Sequence, residues 1–246
     1  MIFREGYRLS RVFKAAAPQN VFPNNKITTS VYTKTNFLPL NIFKELTKPS
    51  NIYFLVIGIL QMVDTISPTN RLPVMFIPLI LILLINITRN YIEDKKRQEA
   101  DTKENEQKTI RRESQGCVSN VKREEIRVSE LVQIEAGMTI PADCVLVGSS
   151  EPDGSCFLET KTLDGEISLK RKEISYQFRK SEFDYEHFFK FDCIFEAENP
   201  NKNLYQFNGS LKIRGELYPF TNQNFLPRGA KIRHTSYVIG LVVYTG

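Results

Sequence analysis

The sequence predicts an α-helical transmembrane hairpin joined to an all-β domain, a distorted jelly roll or sandwich. Three observations carry that reading. Two apolar stretches, 51–66 and 72–92, stand five residues apart. A run of mixed charge follows, with fourteen charged residues among the twenty-one from Glu93 to Glu113. Beyond Gly116 the pattern changes to short β-branched runs broken by turn residues.

The 246 residues allow one large domain or two small ones. With 41% hydrophobic and 25% charged residues the chain is not a disordered polymer. The net charge of +5 is diffuse, and no compact basic patch with interleaved aromatics is present, so nucleic acid is not an expected partner.

Residues 1–49 read as a cytosolic N-terminal segment. Arg4, Arg8, Arg11 and Lys14 on a partly apolar start resemble a mitochondrial transit peptide, but Glu5 and the scarcity of serine oppose that reading. Residues 50–92 form the hairpin. The stretch 72–92 has 21 residues, about 31 Å as a helix, which matches a hydrocarbon core of roughly 30 Å. The soluble alternative is a pair of buried core helices. The run "VMFIPLILILLI" lacks the polar face that such helices carry.

Eight lysines and arginines precede the hairpin and Lys95, Lys96 and Arg97 follow it, whereas "SPTNR" carries only Arg71. The positive-inside rule then places both ends in the cytosol. Pro78 is expected to bend or loosen the second helix. Gln61 and Asp64 are polar groups in the first stretch; Asp64 reads as a wetted interface residue, and Gln61 lies deeper.

Residues 93–116 read as a charged helical stalk and linker, with Glu93 and Arg97, and Glu104 and Lys108, at i, i+4 spacing. Residues 117–246 read as the β domain, with an insertion near 171–200. "IRVSELVQIEAG" alternates, "CVLVGSS" is a short buried strand, and "SCFLETKTL" is another, ending at an Asp-Gly turn. "SEFDYEHFFKFD" is a helix or an inserted arm. Cys117, Cys144, Cys156 and Cys193 contain no close pair, and only His187 and His234 could assist them, so reduced thiols are expected and a zinc site is not.

Asp164-Gly165-Glu166 is the stretch with chemical content. An Asp-Gly pair alone is a weak signal, because hairpin turns often carry it. The flanking blocks are more specific. In order along the chain stand "NKITTSVYTKTNFLPLNIFKEL", "SPTNR", "YIEDKKRQEAD", "IPADCVLVGSSEPDGSCFLETKTLDGE", "NLYQFNGSL" and "RGAKIRHTSYVIGLVVYTG". With these blocks the sequence resembles the N-terminal part of the phospholipid-flipping P-type ATPases, the lipid flippases, and its β domain resembles their actuator domain.

The resemblance implies a cycle in which ATP, with Mg2+, phosphorylates an aspartate in a separate domain. The actuator brings its Asp-Gly-Glu loop to the aspartyl phosphate, the glutamate positions the hydrolytic water, and a membrane phospholipid moves to the cytosolic leaflet. Carried over, the catalytic loop is Asp164, Gly165 and Glu166, with Glu166 as the base. The family's motif continues with Thr and then Asn-Leu-Lys; here it continues with Ile167 and then Ser168-Leu169-Lys170. The loss of that hydroxyl puts full dephosphorylation activity in question, and Ile167 has a packing alternative in the β-domain core. Members that carry phosphatidylserine often have paired glutamines near the outer end of the first span. Gln61-Met62 stands there, which makes both candidate substrate-binding residues and leaves the lipid open.

The phosphorylation and nucleotide-binding domains lie outside this sequence, so the chain alone is expected to be inactive and to bind neither ATP nor Mg2+. A small glycosylated membrane subunit is the family's usual partner. The competing readings are a non-enzymatic membrane-anchored β domain and the matching part of a cation pump, which usually carries Thr-Gly-Glu at this loop.

Overall fold

The computed structural model describes residues 11–16, 22–33, 35–63, 72–181, 184–201, 203 and 205–246. The first ten residues, Asp64 and the 67–71 connection lie outside the described residues. The chain divides into two compact units, Thr28–Glu104 and the described residues up to Ile27 together with Asn105–Gly246.

The first unit is helical. Helix α1 spans Phe37–Leu46, α2 spans Pro49–Leu60 and α3 spans Phe76–Asn105. Pro49 opens α2 in the position where a missing N–H breaks no intrahelical bond. The same argument applies to Pro78. Because α3 starts at Phe76, Pro78 falls in its first turn, and no interior hydrogen bond is lost there. Helix α3 joins the apolar stretch and the charged run in one element of 30 residues, about 45 Å long. Among the described residues it is the one helix long and apolar enough to cross a membrane.

Helices α2 and α3 approach closely at Gly58. A Cβ there would lie 2.2 Å from the Phe76 ring. The charged half of α3 also holds the segment that precedes α1. Asp101 accepts from Thr29 N at 2.7 Å and Thr29 Oγ1 at 2.6 Å, and Asp94 accepts from Ser30 Oγ at 3.0 Å. These two aspartates are seven residues apart, about two turns, so they share a face.

The second unit is antiparallel β structure. Its strands in chain order are β1 (Arg11–Lys14), β2 (Lys108–Arg112), β3 (Val118–Lys122), β4 (Leu131–Glu135), β5 (Asp143–Ser149), β6 (Ser155–Glu159) and β7 (Lys170–Glu173). There follow β8 (Cys193–Ala197), β9 (Asn208–Ile213), β10 (Glu216–Thr221), β11 (Phe225–Leu226), β12 (Lys231–Arg233) and β13 (Tyr237–Tyr244). Among the described residues they form a six-stranded sheet in the order β11-β5-β13-β4-β2-β3, a four-stranded sheet β1-β8-β9-β10 and a three-stranded sheet β12-β6-β7.

Strands β5 and β13 of the six-stranded sheet are buried on both faces. Successive strand residues point to opposite sides, and both sides of β5 and β13 are apolar. Val145, Val147, Ile239 and Leu241 join one core; Cys144, Leu146, Val238 and Val242 join the other. This is why "CVLVGSS" reads as a continuous apolar run rather than an alternating one.

The first core is aromatic. Phe195 of β8 and Phe220 of β10 meet Phe178 and Phe188, which come from α5 (Tyr176–Lys180) and α6 (His187–Lys190). Among its described residues, the stretch 181–192 thus contributes one helical turn, which delivers Phe188 to this core. Strand β1 completes the sheet from the far N-terminal end: Phe13 pairs with Phe195 and stacks on its ring at 5.5 Å.

Asn25 locks the N-terminal segment to the β unit. It is fully buried, and its Nδ2 donates to the carbonyls of Arg123 and Pro141, both at 2.9 Å. Asn25→Ala leaves two carbonyls without that donor and is expected to cost about 1–3 kcal/mol in denaturant unfolding of the chain. Asn25→Asp, which sets a carboxylate against the same carbonyls, is expected to cost more. An unchanged unfolding midpoint for both variants would contradict this role.

Candidate functional site

The connection between β6 and β7 carries the Asp-Gly-Glu stretch. It is not a tight hairpin turn. Strand β6 ends at Glu159, and Lys161–Asp164 form a one-turn helix, α4. The "KTL" expected to extend the strand is helical instead. A helix this short needs external support. Thr160 O accepts from Leu163 N at 2.8 Å, and Thr162 Oγ1 donates to Gly229 O at 3.2 Å. The Leu163 side chain packs against the core beneath the three-stranded sheet.

Gly165 ends α4 with φ +77°, a left-handed conformation that glycine adopts without strain. A Cβ at this position would meet nothing within 4 Å, so the requirement for glycine is conformational rather than steric.

The two acidic residues that flank Gly165 have different environments. The Asp164 side chain is 9% exposed and turned into the loop. Its Oδ1 accepts from Thr160 Oγ1 and from Glu166 N, both at 3.0 Å, and its Oδ2 accepts from Lys170 Nζ at 2.5 Å. The hydrogen bond from Lys170 is the largest of the causes that hold the Asp164 carboxyl below its usual range. Asp164 therefore stays ionised through neutral pH, and its hold on the loop is lost only as pH falls below the ordinary carboxylate range. The Glu166 side chain is 52% exposed and pairs with Lys170, whose Nζ lies 3.0 Å from Oε2.

Lys170 bridges both carboxylates, and those two bonds, that to Asp164 first, raise its pKa above the ordinary lysine value. Its ammonium also lies 5.1 Å from the centre of the Tyr205 ring. A pocket of about 40 Å³ opens here, lined by Asp164, Lys170, Lys172, Tyr205 and Asn222 among others. Lys172 is buried and donates to Asn222 O at 2.5 Å; burial pushes its pKa down, and neighbouring Lys170 adds to the shift.

The structure thus brings Asp164, Gly165 and Glu166 together around a fourth residue, Lys170. Sequence reasoning noted Lys170 only as the end of a motif. Its i, i+4 spacing from Glu166 was the available signal; Tyr205, thirty-five residues further on, had none. Ile167 is 81% exposed, so it is not core packing. The apolar anchor of this loop is Leu163 instead. Gln61 and Met62 lie in the helical unit: Gln61 is buried and its Oε1 accepts from Met75 N at 3.2 Å, while Met62 is exposed. Among the described residues no group of three or more His, Cys, Asp and Glu side chains is placed to hold a metal ion.

Comparison with known proteins bears on both units. Residues 11–75 match the family model described as "Phospholipid-translocating ATPase N-terminal", and residues 104–217 match "P-type ATPase actuator domain". Three relatives from Arabidopsis thaliana are similar over nearly the whole chain. Probable phospholipid-transporting ATPase 12 is 34% identical over 226 residues, 91% of this chain and 19% of its own length. Probable phospholipid-transporting ATPase 7 is 36% identical over 92% of this chain and 18% of its own length. Phospholipid-transporting ATPase 10 is 34% identical over 94% of this chain and 19% of its own length. The chain therefore spans about a fifth of the length of these relatives. With two models of this family matched in succession along the chain, and relatives 34–36% identical over nine-tenths of it, the chain belongs to the phospholipid-transporting P-type ATPases, of which it carries the N-terminal region and the actuator domain.

Proposed function

We propose that this chain supplies the first two membrane spans and the dephosphorylating loop of an ATP-dependent phospholipid translocase. The observation that carries the proposal is the asymmetry of the loop. Asp164 and Gly165 fix its backbone, and Glu166 stands half-exposed beyond them with its carboxylate turned outward.

An acyl phosphate is already reactive, so catalysis needs one water in line and an acceptor for its proton. The Glu166 carboxylate takes the proton as the water oxygen attacks phosphorus. The bond between phosphorus and the aspartyl oxygen breaks, and the products are inorganic phosphate and a free aspartate. Lys170 holds Glu166 from one side and leaves one carboxylate oxygen for the water. Gly165 presents a face without a side chain to the phosphate. ATP and Mg2+ supply and support the phosphoryl group in a complete enzyme, and the steps assigned to this chain use neither.

The apolar part of α3 and the stretch that begins with α2 form the hairpin, with both of its ends in the cytosol. Gln61 and Met62 sit where the first span meets the outer leaflet, in the position from which lipid choice is made. A small glycosylated membrane subunit is the partner the family leads one to expect.

Glu166→Gln in a complete enzyme carrying this segment is expected to leave phosphorylation by labelled ATP intact. Its phosphoenzyme should decay about 10²–10⁴-fold more slowly, the usual loss on removing a general base. Normal decay would overturn the assignment. Ile167→Thr restores a hydroxyl beside the carboxylate. It is expected to speed decay in the same pulse-chase and, at an exposed position, to shift stability by no more than about 0.5 kcal/mol. Unchanged decay would show that the hydroxyl plays no part here. For topology, Thr69→Cys in the full chain is expected to react with an impermeant thiol reagent from outside the membrane only. Complete extraction of the chain by carbonate would contradict the hairpin.

A further inference from the structure

Helix α1 is built inside out. At about 100° per residue, Asn41 and Glu45 fall on one side, and an apolar arc runs around the rest through Leu38, Ile42, Leu46, Pro39, Phe43 and Leu40. A helix packed on a water-soluble core turns its apolar stripe inward. Here the polar residues are inside: Asn41 is 1% exposed and Glu45 4%, whereas Phe43 is 68% and Leu38 55% exposed.

The inward side chains are satisfied by another pair at helical spacing. Asn90 Nδ2 of α3 donates to Asn41 Oδ1 at 2.9 Å, and Asn86 Nδ2, one turn earlier, donates to Glu45 Oε2 at 2.8 Å. Lys48 Nζ adds a bond to Glu45 Oε1 at 2.6 Å. These contacts fix the height of α1 along α3. Arg89, between Asn86 and Asn90, is the first charged residue of α3, so α1 packs where that helix changes from apolar to charged.

We infer that α1 lies in the boundary between lipid headgroups and acyl chains, with Phe43, Leu38 and Leu40 against the phospholipids. The inference rests on the reading that α3 crosses the membrane. Two features make the occupant a lipid surface. The apolar arc lies at the level where the exposed apolar side chains of α3, Leu84 and Ile85, give way to charge, so it continues the same lipid-facing surface. Lys44, exposed beside the arc with its ammonium 5.0 Å from the centre of the Tyr32 ring, and Lys48, bonded to Glu45, keep positive charge at this level, where headgroup phosphates are negative. The helix thus ties the cytosolic approach to the bilayer, through bonds that are polar on the protein side and apolar on the other.

The chain contains no tryptophan, so a single one reports cleanly. The full chain carrying Phe43→Trp is reconstituted in phosphatidylcholine–phosphatidylserine vesicles that contain lipids brominated either near the headgroup or near the chain end. Blue-shifted emission is expected, with strong quenching by the headgroup-proximal bromines and weak quenching by the deep ones. Leu81→Trp, at an exposed position near the middle of the apolar half of α3, tests the underlying reading separately and should be quenched by the deep bromines. If Leu81→Trp is reached by neither bromine, the membrane-spanning reading itself fails. If it behaves as expected, three results for Phe43→Trp overturn the inference: red-shifted emission open to aqueous iodide places it in water, blue-shifted emission reached by no bromine places it under protein, and preferential deep quenching places it in the hydrocarbon.

Discussion

The β unit depends on a sheet whose inner strands are apolar on both faces. Strands β5 and β13 pair at its centre, and each sends alternate side chains into separate cores. Strands buried on both sides need two covers. The aromatic cover is assembled from β1 near the N-terminal end, from α5, α6 and β8 within 171–200, and from β9 and β10 beyond it. The other is the small sheet of β6, β7 and β12, whose inward residues Cys156, Leu158 and Ile232 fill the second core. The Asp-Gly-Glu loop is the connection within that second cover, so its position follows from the packing beneath it.

Within the loop, two carboxylates separated by one glycine have separate environments. The Asp164 carboxylate accepts from a hydroxyl, a backbone N–H and an ammonium, and these bonds hold the chain in its bend. Glu166 shares only the ammonium. A group with most of its hydrogen-bonding capacity already used is a poor proton acceptor for an incoming water, and a half-exposed carboxylate on a fixed backbone is a good one. Lys170 links the two, so the ordering of the loop and the placement of Glu166 are one interaction.

The helical unit follows a different rule. Its buried contacts include amides and carboxylates, Asn41, Glu45, Asn51, Asp94 and Asp101, while Phe43, Tyr53, Leu84 and Ile85 face outward. Such a distribution is unfavourable in water and favourable in lipid, where apolar surface needs no cover and polar groups must find partners inside. Gly58 against Phe76 fits the same rule, since the close approach of two helices there depends on a missing side chain.

Much of this was legible in the sequence because the relevant signals are local. The apolar length of 72–92, the mixed charge after it and the short β-branched runs specify element types through hydration and backbone preference, whatever the rest of the chain does. The ordered blocks around Asp164-Gly165-Glu166 pointed to the family in the same way. What only the tertiary structure decided was which face of each element meets which partner. Strand β1 reaches Phe195 across 182 residues, counted from Phe13, and no local pattern encodes that pairing. Ile167 had core packing as its alternative reading, yet it is exposed, and Leu163 is the side chain of this loop that packs against the core. Asn41 and Glu45 are polar, yet they are buried, with Asn86 and Asn90 opposite them as hydrogen-bond partners. Residue type sets what a side chain prefers; the neighbour supplied from elsewhere in the chain sets whether burial or exposure satisfies it.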